Sequence, residues 1–237
     1  MSSAPLSSLS IFMPAFNEEE NIQQVVRDAL RAAEKFAKDY EIIVINDGSK
    51  DQTAAKVKEL MEKNSHIRLI NHPENKGYGA AVKSGLKASN KEWIFFTDSD
   101  GQFKFDELGK FVSARDKADF IIGYRKKRMD PFHRVFVAQV LLKTWNIVFF
   151  GLRVKDVDCA YKLFRKSLIR SIKLETESAI TVTELLLKAR KLGYKFHQLP
   201  VTHYPRRHGV QTGGNYRVIL RAIGESIKLF FDLRRHK

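Results

Sequence analysis

The run Trp93 to Thr97 is almost wholly apolar and stops abruptly at Asp98-Ser99-Asp100. A strand without polar alternation must be covered on both faces, which is the situation inside a mainly parallel sheet flanked by helices. The first half of the chain repeats that grammar. Leu9 to Met13 reads as a strand, Pro14 to Glu20 as a polar loop, and about Asn21 to Asp39 as a helix. Glu41 to Asn46 is a β-branched run closed by Asp47-Gly48-Ser49, and an amphipathic segment follows from Thr53 to Asn64. Ile67 to Asn71 is a third strand leading to a helix around Gly77 to Ala88, and Phe120 to Gly123 is a further strand. Alternation of this kind predicts an α/β fold, a three-layer α/β/α sandwich with a central, mainly parallel sheet. Ligands of such sheets bind at the strand carboxyl ends. Phe16-Asn17-Glu18, Asn46-Asp47-Gly48 and Asp98-Ser99-Asp100 all fall there and are expected to meet in one pocket.

With 237 residues the chain is expected to form one domain, 1–237. After Tyr124 the pattern changes to a basic cluster, Arg125-Lys126-Lys127-Arg128. A long helix from about Pro131 to Gly151, a mixed stretch and a helix at Thr183 to Leu192 follow. A hydrophobic share of 43% excludes a disordered or fibrous chain. The net charge of +15 favours polyanionic partners: nucleic acid, anionic lipid or phosphorylated substrates. Cys159 is the single cysteine, so no intramolecular disulfide forms and a cytosolic setting is expected. Met1 to Ser10 does not read as a signal peptide, and no run of about 20 apolar residues suggests a membrane span.

Two carboxylates two residues apart at a strand end, Asp98 and Asp100, can aim at one hard cation. Magnesium or manganese there would bridge to a diphosphate and neutralise charge on a departing nucleotide. Ser99 and Gln102 belong to the same loop; an ordinary polar turn is the competing reading. Asp47 can accept hydrogen bonds from a nucleobase, with Gly48 permitting close approach, or can simply form an Asp-Gly turn. Glu18 either contacts the ligand or stabilises the first turn of the following helix.

The strings IFMPAFNEEENI (Ile11 to Ile22), IIVINDGSKDQT (Ile42 to Thr53), NKGYGAAVKSGL (Asn75 to Leu86), FFTDSDGQF (Phe95 to Phe103), DVDCAYKLFR (Asp156 to Arg165) and LPVTHYPRRHG (Leu199 to Gly209) occur in this order. Together they resemble family 2 glycosyltransferases of the GT-A type, in particular polyprenyl-phosphate (dolichyl-phosphate) mannosyl- and glucosyltransferases. The resemblance implies a nucleotide-sugar donor, of the GDP-mannose or UDP-glucose type, and inversion at the anomeric carbon. It divides the chain into a donor and metal half, roughly 9–124, and an acceptor half, roughly 125–237. By the same resemblance Pro14, Phe16, Glu18, Ile45 and Asp47 line the nucleotide pocket, with Ser99 in the loop beside it. Asp98, Asp100 and Gln102 hold Mg2+ or Mn2+ and the diphosphate. Arg125, Arg134 and Arg206 lie near donor or acceptor phosphates, with Arg207 an alternative to its neighbour. A polyprenyl phosphate acceptor is already anionic and needs little base catalysis, whereas a sugar hydroxyl acceptor would need Asp156 or Asp158. The chain departs from the pattern at Ala160, where relatives often carry glycine or an acid. A loop pair that caps the following segment is the alternative for both aspartates.

Between Val135 and Leu152 the polar side chains Gln139, Lys143 and Asn146 share one stripe, so that helix is either buried or lies in lipid. Tyr216 to Arg235 puts Arg217, Arg221, Glu225, Lys228 and Asp232 on one side and apolar residues around the rest. Basic amphipathic helices suit an anionic bilayer surface, although a solvated charge run has the same composition. The expected setting is therefore peripheral, on the cytoplasmic face of a membrane, possible separate membrane-embedded partner included. A polysaccharide-extending enzyme remains an alternative. A nucleic-acid-binding module is disfavoured because strand-end carboxylates repel phosphates without a metal. A nucleotidyltransferase is disfavoured because Asn17-Glu18-Glu19-Glu20 stands where a glycine-rich phosphate loop would open the first helix.

Overall fold

Side chains of β1 (Leu6–Ala15) alternate between two apolar layers: Leu9, Ile11 and Met13 face one and Phe12 the other. The later strands extend the sheet that β1 begins, and helices cover these two faces. The computed structural model describes residues 4–127, 149–209 and 216–235. Elements following β1 are α1 (Ile22–Phe36), β2 (Ala37–Asn46), α2 (Thr53–Lys63), β3 (Ile67–Asn71), α3 (Tyr78–Ala88) and β4 (Trp93–Phe96). A 3-10 turn at Phe105–Glu107 leads to α4 (Leu108–Ser113) and β5 (Phe120–Arg125). Beyond these lie β6 (Lys162–Arg165), α5 (Lys166–Arg170), α6 (Ile180–Lys191), β7 (Phe196–Val201) and α7 (Tyr216–Arg235).

The seven strands form one sheet in the order β3-β2-β1-β4-β6-β5-β7. β1, β2, β3 and β4 are mutually parallel, β7 is parallel to β5, and β6 runs antiparallel to both β4 and β5. Val25 and Ala29 of α1, Val57 of α2 and Phe111 of α4 cover one face. Ala81 and Val82 of α3, Leu185 and Leu186 of α6 and Leu229 of α7 cover the other. This is the expected three-layer sandwich, with strands drawn from both stretches of the sequence in one sheet.

Two glycines set close approaches. A Cβ on Gly85 would lie 2.2 Å from the Phe12 ring, so α3 rests directly on β1. Gly48 has φ +70° and a Cβ there would lie 2.4 Å from the Glu74 carbonyl carbon, which brings the loops after β2 and β3 together.

Helix α1 ends at Phe36, three residues before the expected Asp39, because Ala37 already pairs with Leu6 as β2 begins. Helix α6 starts at Ile180 and not Thr183, with the Ser178 hydroxyl accepting from the Ile180 N–H at 3.3 Å. The long helix expected from Pro131 to Gly151 falls almost entirely outside the described residues. So do Arg128 and Arg134.

In α7 the charges point inward more than expected. Glu225 accepts from the N–H groups of Glu177 and Ser178 at 3.1 and 3.0 Å, and Arg221 donates to Glu177 at 3.2 Å. The opposite stripe, Leu220, Ile223, Ile227 and Phe231, is exposed. No helix among the described residues is long and apolar enough to cross a membrane.

Candidate functional site

Strand β4 ends inside the sheet, so the loop after it emerges at the carboxyl edge between β1 and β6. The loop is rigid. Ser99 donates to the Pro14 carbonyl at 2.7 Å, and the Gln102 N–H donates to Asp100 at 3.0 Å. Asp98 accepts from the Tyr78 hydroxyl at 3.0 Å. Burial and the charge of Asp100 push the Asp98 carboxyl up to about 7, partly opposed by Tyr78, Arg125 and Lys162. Burial and Asp98 in turn hold the Tyr78 phenol well above its ordinary range, so it stays a donor.

That strain between two hard oxygen donors is what a divalent cation relieves, and the donor set suits magnesium or manganese. No group of three or more His, Cys, Asp or Glu that could hold a metal exists among the described residues. A divalent cation at the Asp98–Asp100 pair would take its remaining ligands from phosphates and water, as is usual for Mg2+. From the ordinary carboxylate range up to pH about 7, the native protein keeps a proton on this pair that the unfolded chain has released. Metal-free stability is thus expected to fall as pH rises from 5 to 8, by about 2 to 4 kcal/mol. Thermal melts in EDTA across this range check the drop; manganese at pH 8 should reverse it and Asp98→Asn should flatten it.

The neighbouring loops meet this one. Pro14 and Ile45 are buried in paired positions of β1 and β2, and Phe16 is half-buried just beyond. Asn17 has φ +54°; its N–H donates to Ser49 at 2.9 Å and its side chain accepts from the Lys50 N–H at 2.9 Å. Asp47 accepts from the N–H groups of Lys76 and Gly77 at 3.0 and 2.9 Å and lies 2.6 Å from His72 Nδ1. Its carboxylate thereby shapes the loop entering α3, which the sequence alone did not suggest.

Glu18 is buried, accepts from Asn21 at 2.8 Å and pairs with Arg206. Burial raises its carboxyl, while Asn21 and Arg206 oppose the rise. Arg206 also lies 3.7 Å from Asp100 and donates to the His208 carbonyl at 2.7 Å. Arg207 points elsewhere, lining a surface cleft with Gly101, Lys104, Tyr204 and Pro205. The two adjacent arginines are therefore not interchangeable. Gln102 anchors this segment, since its side chain donates to the Tyr204 carbonyl and its own carbonyl accepts from the Tyr204 N–H, both at 2.9 Å.

On the β5–β6 side, Arg125 grips Asp156 with two parallel bonds of 2.7 and 2.8 Å. Burial alone would lower the guanidinium, but Asp156 holds it above its ordinary value. Asp158 is exposed. Lys162 is fully buried beneath them, donating to the Val157 carbonyl at 3.0 Å and to that of Cys159. Burial lowers its ammonium, and Cys159, Asp156 and Asp158 counter that. Tyr78 and Lys162 were missed as site residues, although both stand inside the strings NKGYGAAVKSGL and DVDCAYKLFR. An aromatic or a lysine flanked by strand residues reads as packing until a carboxylate is seen against it.

Residues 10–172 match Glycosyl transferase family 2. A dolichyl-phosphate beta-glucosyltransferase of Trichomonas vaginalis is 30% identical over 215 residues, covering 83% of this chain and 66% of that protein. One from Dictyostelium discoideum is 32% identical, covering 81% and 65%, and a dodecaprenyl-phosphate galacturonate synthase of Rhizobium johnstonii is 26% identical, covering 90% and 64%. The chain thus spans about two-thirds of the length of these relatives. Glucosyl-3-phosphoglycerate synthase of Mycobacterium tuberculosis, solved with Mn2+, UDP and phosphoglyceric acid, superposes with a TM-score of 0.71 at 17% identity, covering 93% of this chain and 78% of that one. The likeness establishes the fold as that of GT-A glycosyltransferases. With its strand-end carboxylates, its sheet and this match, the chain belongs to glycosyl transferase family 2.

Proposed function

We propose that the protein moves a hexose from a nucleotide-sugar donor to a polyprenyl phosphate at a membrane surface, with inversion. The observation that carries this reading is the Asp98–Asp100 pair, held at the carboxyl end of β4 in a chain whose relatives bear the names of polyprenyl-phosphate sugar transferases. Mg2+ or Mn2+ bound between these carboxylates supplies charge neutralisation for the donor diphosphate as it departs.

The chain's own residues do the rest by holding and orienting. Phe16, half-buried beyond the Pro14–Ile45 pair and the Asp47 turn that support it, is the surface on which the nucleoside would lie, and the Tyr78 hydroxyl fixes the Asp98 carboxylate that would hold the cation. Arg125, fixed by Asp156, presents a rigid positive group near the diphosphate. The acceptor phosphate attacks C1 as an oxyanion, since its second ionisation lies near pH 6, and no side chain has to remove a proton. Asp156, with both oxygens on Arg125, serves to orient that arginine.

A bilayer as the working surface is supported by α7. Leu220, Ile223, Ile227 and Phe231 form one exposed stripe, extended by exposed Phe149, with Lys228 alongside. Burial of such a stripe in a headgroup layer, aided by basic side chains on an anionic cytoplasmic leaflet, is the chemistry of a peripheral protein. Radiolabelled UDP-glucose or GDP-mannose, given with manganese and polyprenyl phosphate in phosphatidylglycerol vesicles, is expected to yield an organic-soluble product, with the protein sedimenting with the vesicles. Label passing only to water-soluble sugar acceptors would overturn the reading.

A further inference from the structure

We infer that His72 is a positioning residue for the metal site, holding Asp47 so that helix α3 presents the Tyr78 hydroxyl to Asp98. The imidazole bridges three elements. It directly follows β3, its Nδ1 lies 2.6 Å from Asp47 beyond the end of β2, and its Nε2 lies 2.9 Å from the Ser84 hydroxyl in α3. A carboxylate only accepts, so Nδ1 carries the proton of the first contact, while a hydroxyl can serve the other nitrogen as donor or acceptor. The His72 and Asp47 side chains are almost closed to solvent, at 8% and 5% exposed, which leaves water little part in the pair.

Asp47 passes that hold to the start of α3. Its two oxygens accept from the N–H groups of Lys76 and Gly77 at 3.0 and 2.9 Å, the two residues directly before Tyr78. Gly77 has φ +97° and by itself offers no stiffness, so these bonds set the direction in which the helix leaves the loop. On the far side Gly79 is pressed against the start of α6, where a Cβ would lie 2.1 Å from Thr181 Oγ1. Between these two supports the Tyr78 ring lies 6.3 Å from that of Phe96, and its hydroxyl reaches Asp98 at 3.0 Å. Contacts behind a metal ligand fix its orientation, and His72 stands one step further back in the same line. Asp47, His72 and Ser84 share the connectivity of a hydrolytic triad. Ser84, however, stands inside α3, where the surrounding N–H groups are taken up by the helix and cannot receive an oxyanion, so the line positions and does not attack.

The role given to the cation rests on the transfer reading above; the hold on α3 does not. Manganese titrations, read by loss of the free-ion paramagnetic resonance signal, and hydrogen exchange at the Lys76 and Gly77 amides should be run on the full chain and its folded variants. His72→Leu and Tyr78→Phe are each expected to weaken manganese about tenfold, the low end for contacts behind a metal ligand. Because His72 acts through Tyr78, the double variant should bind no more weakly than Tyr78→Phe. The two amides should exchange faster in His72→Leu and stay slow in Tyr78→Phe. His72→Asn, whose amide nitrogen falls near Nδ1, should keep parental affinity and slow exchange. His72→Gln, whose amide falls near Nε2, should match His72→Leu, a split that a merely structural histidine would not produce. Losses that add in full in the double variant would overturn the assignment, as would unchanged affinity or exchange in His72→Leu, or His72→Asn and His72→Gln behaving alike. If His72→Leu does not fold, Ser84→Ala releases the ring at Nε2 alone and should move both readouts the same way by a smaller factor; no movement there overturns the assignment equally. Manganese binding indifferent to Asp98→Asn would defeat the metal reading alone, and amide exchange in the same variants then decides the hold on α3.

Discussion

Asp100→Ala is expected to lower sugar transfer by about 10³-fold, the scale on which removal of one preorganised electrostatic group slows a reaction. Its effect on the fold should be the reverse. Asp100 is one cause of the elevated Asp98 carboxyl, so deleting it removes like-charge repulsion from the rim of the sheet. In metal-free buffer at pH 8 the variant should melt no lower than the parent. The melting shift produced by manganese with UDP should disappear, since one of two protein carboxylates is gone. Retained metal-dependent transfer would discard the metal assignment, and a lower metal-free melting point would show that Asp100 is structural. The Gln102 N–H bond to Asp100 and the approach of Arg206 to it at 3.7 Å are contacts through which such a structural role would act.

Arg125→Met should act on both stability and rate. The pair with Asp156 is nearly closed to solvent, with side chains 8% and 11% exposed, and breaking such a pair from one side costs about 3 to 5 kcal/mol because the other charge stays behind. Adding Asp156→Asn removes the stranded charge and should restore most of the melting temperature. Transfer should not return with it, remaining about 10²-fold low, because the arginine's charge near the diphosphate is still missing. Recovery of both together would mean that Arg125 only holds the loop. Denaturation and kinetics on the single and double variants separate the two roles.

The first half of the chain was legible because its strands are apolar and punctuated by polar clusters at a fixed end. The strands expected at Glu41 to Asn46 and Trp93 to Thr97 are found at Ala37–Asn46 and Trp93–Phe96, and the trailing residues Asp47 and Asp98 emerge at one edge. The second half was harder. β6 is four residues long and opens with a fully buried lysine, so it carries neither alternation nor an unbroken apolar run. β7 is an edge strand whose residues from Phe196 to Pro200 are only half-buried and include His197, Gln198 and Pro200, which reads as loop. Individual residues were named more reliably than their partners. Arg125 and Asp156 both stood out as chemical groups, but 31 positions of separation conceal that they grip one another. Neighbours Arg206 and Arg207 presented the converse problem: identical side chains in sequence end in different surroundings, Arg206 against Glu18 and Arg207 at an exposed cleft.

Strand β6 lies antiparallel to β5, with Lys162 opposite Ile122 and the Gly123 N–H on the Tyr161 carbonyl at 2.7 Å. The chain therefore leaves the sheet at Arg125 and rejoins it at Lys162 in neighbouring strands, so the two ends of the intervening stretch are stapled together. The entropy of closing such a loop grows only with the logarithm of its length, about 0.6 kcal/mol for a doubling. A change of length between these ends is thus expected to leave the β1–β4 register alone where the packed residues Leu152, Val154 and Val157 are kept. Length can then vary on this flank of the sheet while the strand ends that carry Asp47 and Asp98 keep their places.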